Sequence, residues 1–350
     1  MLTVRSSVFF FALVLLVIFA DVHAAPQRGS RRKGKGAATA AANTQTLQQQ
    51  AAQVPQGVSQ ATDGSTILDT TATVNGLNLR FKVSGPVDQF TADTGIDGAT
   101  AQAGDAGPLG LNVLLHGDGG QSFFDFPNQA VQGDLMGVVI LAPSEQLLWG
   151  QSQGQPQGLS RPDGVEHSQA VNDLIQTVLP QVVAFNTSNV FFTGVSGGSL
   201  TLSGFFMPAH LTNFAGTGVL LMCGGLEPQV DFVDANNVIS TTKIHFQSTQ
   251  NELALLQPAI PDAIIAYEQL AAQAGVSADQ LNVLQTVDNT PNGGHCEFDE
   301  QGFSSGIQLI SDNFANIMQG GNGAVDGINA QTVLTGVVGN ENLQFSGNGN

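Results

Sequence analysis

The chain has 350 residues, with 28 acidic and 10 basic side chains, two cysteines and a hydrophobic share of 42%. That share is near the globular average and excludes a wholly disordered chain, while two cysteines are too few for a disulfide-scaffolded mini-protein or a Cys-rich zinc domain. From residue 36 onward only four basic residues, Arg80, Lys82, Arg161 and Lys243, stand against 27 acidic ones, so the body has no Lys/Arg cluster with which to grip a nucleic-acid backbone or an anionic lipid surface.

The first element is an address. Arg5 precedes an apolar run from Val8 to Ala20, and Val22-His23-Ala24 supplies the small residues a signal peptidase reads. Residues 1–24 are therefore expected to be a signal peptide, with an uncleaved signal anchor as the rival reading; the apolar core is short for a spanning helix. The body would mature in an oxidising, extracellular compartment, where the sequon Asn186-Thr187-Ser188 is a candidate glycosylation site. Residues 25–65 read as a low-complexity leader or propeptide, with Arg31-Arg32-Lys33 as a candidate dibasic processing site and the following Ala/Gln/Thr tract as linker. Residues 319–350, rich in Gly and Asn, are expected to be a loosely held tail.

Residues 66–318 carry the folding pattern. Thr71 to Val74, then Asn75-Gly76, then Leu77 to Val83 reads as a hairpin, because Asn-Gly supplies the positive φ of a type I′ turn. Ser84 to Gly110 is turn-rich and reads as a surface loop. Short apolar runs follow at Leu111–Leu115, Val138–Ala142, Val190–Phe192, Val219–Met222, Ile244–Phe246 and Val283–Val287, with helix-like stretches such as Val165–Val183 and Ile260–Ala274 between them. Buried strands alternating with helices mean a mostly parallel sheet covered on both faces, with the hairpin as an antiparallel edge.

In open parallel sheets the chemistry gathers beyond the carboxyl ends of the strands. After Leu115 comes His116-Gly117-Asp118-Gly119-Gly120, and after Phe192 comes Thr193-Gly194-Val195-Ser196-Gly197-Gly198. The latter matches G-x-S-x-G. A second match at Gly302–Gly306 places Ser304 at the same position but has no strand before it, so the pattern alone is weak. A strand end before Ser196 and a helix opening from Leu200 to Met207 make the strand, tight turn, helix arrangement that exposes a nucleophilic serine. Such a serine needs a base. Of the histidines, His245 lies inside a strand, His210 ends the helix after the turn, His116 sits at a different corner, and His167 falls in a helix-like stretch. His295, after the last strand in a Gly293-Gly294 corner, is the candidate base. The backbone N–H groups of Gly117, Asp118 and Gly197 are candidate donors to a developing oxyanion.

These motifs resemble the α/β-hydrolase superfamily, and more narrowly secreted fungal proteins related to polyhydroxybutyrate-depolymerase and feruloyl-esterase-type carbohydrate esterases. The resemblance implies an α/β-hydrolase fold and a secreted, monomeric serine hydrolase. It would act on small or polymeric carboxylic esters, with no metal or organic cofactor and no membrane partner after signal cleavage. Ser196 would be nucleophile and His295 general base. The family places an Asp after the penultimate strand, where this chain has Asn251, with Glu252 adjacent. Glu252 is taken as the acid; Asn251, Asp231 and Glu227 stay open as alternatives. In such a fold Cys223 and Cys296 would both border the active site, and a secreted chain is expected to link them. Trp149 would line the acyl or sugar side or serve in packing. The missing Asp and the low-complexity ends favour a rival, a non-catalytic hydrolase-fold surface protein.

Overall fold

In a computed structural model of the chain, residues 45–125, 131–151, 158–214, 216–329, 331, 333–335, 343 and 345 are described. The expected signal peptide and the dibasic site lie outside them. Among these residues ten strands join one sheet: β1 (Gly57–Gln60), β2 (Thr66–Val74), β3 (Leu77–Gly85), β4 (Gly110–Leu115), β5 (Leu135–Ile140), β6 (Val190–Val195), β7 (Gly218–Met222), β8 (Lys243–Gln247), β9 (Gln285–Asp288) and β10 (Leu334–Thr335). The helices are α1 (Leu47–Ala51), α2 (Gln121–Asp125), α3 (Gly164–Asp173), α4 (Leu179–Val182), α5 (Gly197–Thr201), α6 (Met207–His210), α7 (Ala235–Ile239), α8 (Leu256–Gln273), α9 (Ala278–Leu284), α10 (Phe303–Asp312) and α11 (Phe314–Met318).

The strand order is β1-β2-β3-β5-β4-β6-β7-β8-β9-β10. The six central strands from β5 to β9 run parallel, while β1, β2 and β3 form an antiparallel flank and β10 pairs antiparallel with β9. Every residue of β4, β5 and β7 is buried, which is why those runs are continuously apolar rather than alternating. Successive side chains still go to opposite faces: Val113 and Leu115 join the large core under α3 and α8, whereas Leu114 packs with Phe123, Val139 and Leu147. A third cluster under α10 and α11 holds Val195, Met222, Ile307, Ile310 and Phe314. From β4 the chain turns to β5 on one side and later to β6 on the other, so the order reverses between β4 and β6. A crevice opens at such a point beyond the strand ends. Strand order, strand directions and the turn after β6 define the α/β-hydrolase fold.

The hairpin turns as expected, with Asn75 at φ 52° and Gly76 at φ 84°. Two helical stretches widen by one π turn, over Leu174–Val178 and Leu202–Phe206. Each lies just before a proline, Pro180 or Pro208, whose missing N–H breaks the regular ladder.

Four expectations are revised. Residues 45–65 are not linker throughout. Thr46 and Gln49 form a capping box for α1, the carbonyl of Ala51 accepts from Arg80 Nη1 at 2.7 Å, and β1 pairs with β2. The segment Ser84 to Gly110 is not merely surface, since Phe90 and Thr91 are fully buried and Phe90 bridges to Val183. The stretch 319–350 is tied down in part, through β10 and the buried Val325. The last central strand starts at Gln285, because Val283 and Leu284 close α9.

Candidate active site

Beyond the carboxyl end of β6 the backbone reverses at Ser196, which has φ 49° and ψ −113°. A non-glycine residue there is strained by about 1–3 kcal/mol and persists only when its surroundings hold it. The surroundings are visible. Ser196 N–H donates to the Met222 carbonyl at 2.8 Å. A Cβ on Gly194 would lie 2.6 Å from Ser199 Cα, and one on Gly198 would collide with the Leu115 carbonyl oxygen. Both glycines of the motif are thus required for close backbone approach. Ser196 is the one residue between Phe192 and Leu200 that is not buried.

The loop after β8 and the loop after β9 are laced together. Gln250 N–H donates to the Pro291 carbonyl at 2.9 Å, Asn251 N–H to Gly293 at 3.2 Å, and Thr249 Oγ1 to Gly294 at 2.9 Å. This lacing brings Glu252 under His295. Nδ1 of His295 hydrogen-bonds Glu252 Oε1, and Nε2 lies 2.8 Å from Ser196 Oγ. With Nδ1–H donating to the carboxylate, Nε2 is left as acceptor for the serine hydroxyl. Glu252 Oε1 also accepts from Leu253 N–H at 2.8 Å, while Oε2 is buried with no partner among the described residues. Glu252 is fully buried and the His295 side chain 20% exposed. The His295 Nδ1 bond therefore goes to Glu252. Asn251 is half-buried, and Asp231 and Glu227 are exposed on the segment after β7.

Cys223, at φ 45° after β7, and Cys296, at φ 59° after His295, are joined in a disulfide with Cα atoms 5.4 Å apart. Both are fully buried. With His295 they form a cluster of metal-ligand types, but the sulfurs are covalently joined and cannot serve as thiolates. Gly117 lies against Ser196, its Cβ position 3.4 Å from Ser196 Cβ. Gly197 opens α5, so its N–H has no helical carbonyl partner. The Asp118 carboxylate lies directly over Gly197, where a Cβ would collide with Oδ1, and Arg161 grips that carboxylate at 2.9 and 2.8 Å. Arg161 escapes a motif search because its partner is 43 residues away. The signal available is its rarity among so many acids.

The other histidines hold structure. Nδ1 of His116 bonds the Gly117 carbonyl at 2.6 Å, and its Nε2 accepts from Ala142 N–H at 2.9 Å. His167 Nδ1 accepts from Gly150 N–H at 2.8 Å. His245 bridges Thr286 Oγ1 at 2.7 Å and Gln247 Oε1 at 3.1 Å. Burial lowers all three to about 4, so they are neutral at pH 7. His210 is buried at the end of α6, its ring 5.4 Å from that of Phe206. Trp149 is fully buried, its ring 5.5 Å from that of His116 and 6.2 Å from that of His167, so it packs rather than lines a substrate side. Asn186 is half-buried on the loop before β6, at the opposite end of that strand from Ser196, and Ser304 lies in α10, 3.2 Å from Gln121.

No protein-family profile and no curated protein matches the chain. Among solved structures it is similar to a complex of a pOPH variant with DMSO, at TM-score 0.45 and 11% identity, covering 84% of this chain and 96% of that one. It is also similar to the feruloyl esterase module from Clostridium thermocellum complexed with sinapinate (TM-score 0.41, 11% identity, 72% and 89% covered). A third is the poly(3-hydroxybutyrate) depolymerase from Bordetella parapertussis (TM-score 0.40, 14% identity, 72% and 89% covered). These likenesses are too distant to carry function, which rests on the geometry above.

Proposed function

We propose that the chain is a secreted serine hydrolase that cleaves carboxylic esters through an acyl-enzyme, with carbohydrate-linked or polyester-like esters as substrates. The observation that carries this reading is the relay Ser196–His295–Glu252, with Nε2 at 2.8 Å from Oγ and Nδ1 on a fully buried carboxylate. Ser196 Oγ attacks the ester carbonyl carbon as its proton passes to His295 Nε2. The carbonyl oxygen becomes an oxyanion facing the N–H groups of Gly117, Asp118 and Gly197. The departing alcohol takes the proton from Nε2, leaving acyl-Ser196. Water, deprotonated by His295, then releases the acid. Glu252 holds the imidazole tautomer and stabilises the imidazolium, as the carboxylate of a serine-protease triad does.

The relay weakens the rival non-catalytic reading, because Glu252 supplies the carboxylate whose absence favoured it. Uncharged esters suit a body whose cations are engaged or remote. Arg80 pairs with Asp69, Lys82 Nζ donates to the Phe123 carbonyl, Arg161 holds Asp118, and Lys243 starts β8 at the far end of the sheet. Secretion is supported by the N-terminal sequence and by the disulfide, and among the described residues no helix is long and apolar enough to cross a membrane. A glycan on Asn186, at the other end of β6, would leave Ser196 open. The test is turnover of p-nitrophenyl acetate, methyl ferulate, acetylated xylan and poly(3-hydroxybutyrate) film by the secreted protein and by Ser196→Ala. Hydrolysis that Ser196→Ala abolishes is expected. A folded protein that turns over none of these esters would contradict the reading.

A further inference from the structure

We propose that Arg161 is a positioning residue for ester hydrolysis, acting through Asp118 on two of the N–H groups that face the oxyanion, those of Asp118 and Gly197; this rests on the serine-hydrolase reading above. Asp118 and Gly197 come from different loops, one after β4 and one after β6. Their N–H groups must converge on one oxygen atom to be useful. What links the loops is the Asp118 carboxylate, which rests on Gly197 so closely that no side chain fits there. A carboxylate on a free side chain would rotate. This one is fixed by the planar guanidinium of Arg161, which bonds both oxygens at 2.9 and 2.8 Å. Arg161 is fixed in turn: its Nη1 donates to the Trp149 carbonyl at 2.8 Å, and its side chain is 2% exposed. The fully buried Trp149 that supplies this carbonyl packs between His116 and His167, so the brace rests on the core itself.

The second part of the role is electrostatic. The Asp118 carboxylate, resting against Gly197 next to the nucleophile, opposes the negative charge that develops on the carbonyl oxygen, and a half-enclosed site screens that repulsion poorly. Arg161 neutralises it. No other body cation is available, since Arg80 and Lys82 are held elsewhere and Lys243 starts β8 at the far end of the sheet. Geometry and charge therefore predict a sign in kcat, whereas a merely structural buried salt bridge would give it in the melting temperature alone. Removing Arg161 alone leaves an uncompensated carboxylate beside the oxyanion, and removing both partners does less harm than removing one. Lysine keeps the charge and loses the two-pronged grip, so it should fall between.

The experiment uses the full secreted chain and four variants: Arg161→Gln, Arg161→Lys, Asp118→Asn, and Arg161→Gln with Asp118→Asn. For each, kcat and KM are measured on a p-nitrophenyl ester, with the labelling rate by a fluorophosphonate and the melting temperature. Arg161→Gln should lower kcat by about 10²-fold, the loss typical of one oxyanion donor, with KM changed much less. The double variant should regain roughly tenfold of that loss, because its neutral pair restores charge balance. Arg161→Gln at wild-type kcat, or a folded double variant no better than Arg161→Gln, overturns the proposal. Should Arg161→Gln not fold, Arg161→Lys carries the test: a lowered kcat at an unchanged melting temperature supports the brace, and wild-type kcat overturns it. Failure of the wild-type protein to react with the fluorophosphonate would refute the serine-hydrolase reading itself. Equal reaction of wild type and all variants would refute only the role of Arg161.

Discussion

Reduction of the Cys223–Cys296 disulfide should lower both stability and turnover. The cysteines are 73 residues apart, and by loop-closure entropy a link of this span stabilises the native chain by about 4 kcal/mol. For a chain of this size that corresponds to a fall in melting temperature of roughly 5–10 °C. The effect on chemistry is separate. Cys296 follows His295 directly, and the bond anchors that corner to Cys223, the residue next to Met222, whose carbonyl accepts from Ser196 N–H. Once cut, the imidazole corner gains freedom from its two glycines, and kcat should fall more than KM rises. Both sulfurs are fully buried, so a phosphine reductant must be applied at partly denaturing temperature and the thiols trapped before cooling. Thermal scans and ester kinetics on the trapped and untreated proteins give the two readouts. Two alkyl groups added by a thiol reagent to denatured but unreduced protein would refute the link, as would identical melting curves after verified reduction.

Glu252→Gln should reduce kcat by about 10⁴-fold while the protein stays folded, because an amide cannot stabilise imidazolium; Asn251→Asp should leave turnover unchanged, since His295 Nδ1 already bonds Glu252, and steady-state kinetics of the two variants decide it. Gly198→Ala should destabilise by roughly 1–3 kcal/mol or more and abolish activity, since its methyl would meet the Leu115 carbonyl, which is backbone and cannot yield; denaturant unfolding and kinetics check this. Acidification should destabilise the fold. His116, His167 and His245 are lowered from 6.5 to about 4 by burial, so the unfolded chain binds more protons between those values. The stability they support is complete above about pH 6.5 and is lost toward pH 4, with a slope of up to about 4 kcal/mol per pH unit for three protons. Asp288, raised by burial, works the other way but is one group against three. Urea midpoints that do not fall between pH 7 and pH 5 would contradict this.

The strands were legible because full burial writes each one as an apolar run, and the hairpin because Asn75-Gly76 has a conformational requirement few dipeptides meet. The turn at Ser196 was legible for the same reason, since Gly194 and Gly198 are forced by close backbone approach. The acid was harder to place. Residues 248–252 have no periodicity, and their register against His295 is set by bonds to residues 290–294 some forty positions on. Helix α1 was hidden because its five residues are mostly polar and its support comes from elsewhere, through Arg80 at Ala51 and Gln48 Nε2 on the Pro143 carbonyl. Arg161 had no local pattern at all. Only the folded chain brings it to Asp118, and pairing over that distance leaves no mark on either segment.

The most direct measurement is covalent labelling of the folded protein with a fluorophosphonate, followed by peptide mapping. The phosphonyl group should be found on Ser196 Oγ alone, and Ser196→Ala and His295→Ala should each lose the label while keeping the wild-type fold. Labelling at Ser304, or no labelling of folded protein, would contradict a nucleophile activated by His295 and Glu252.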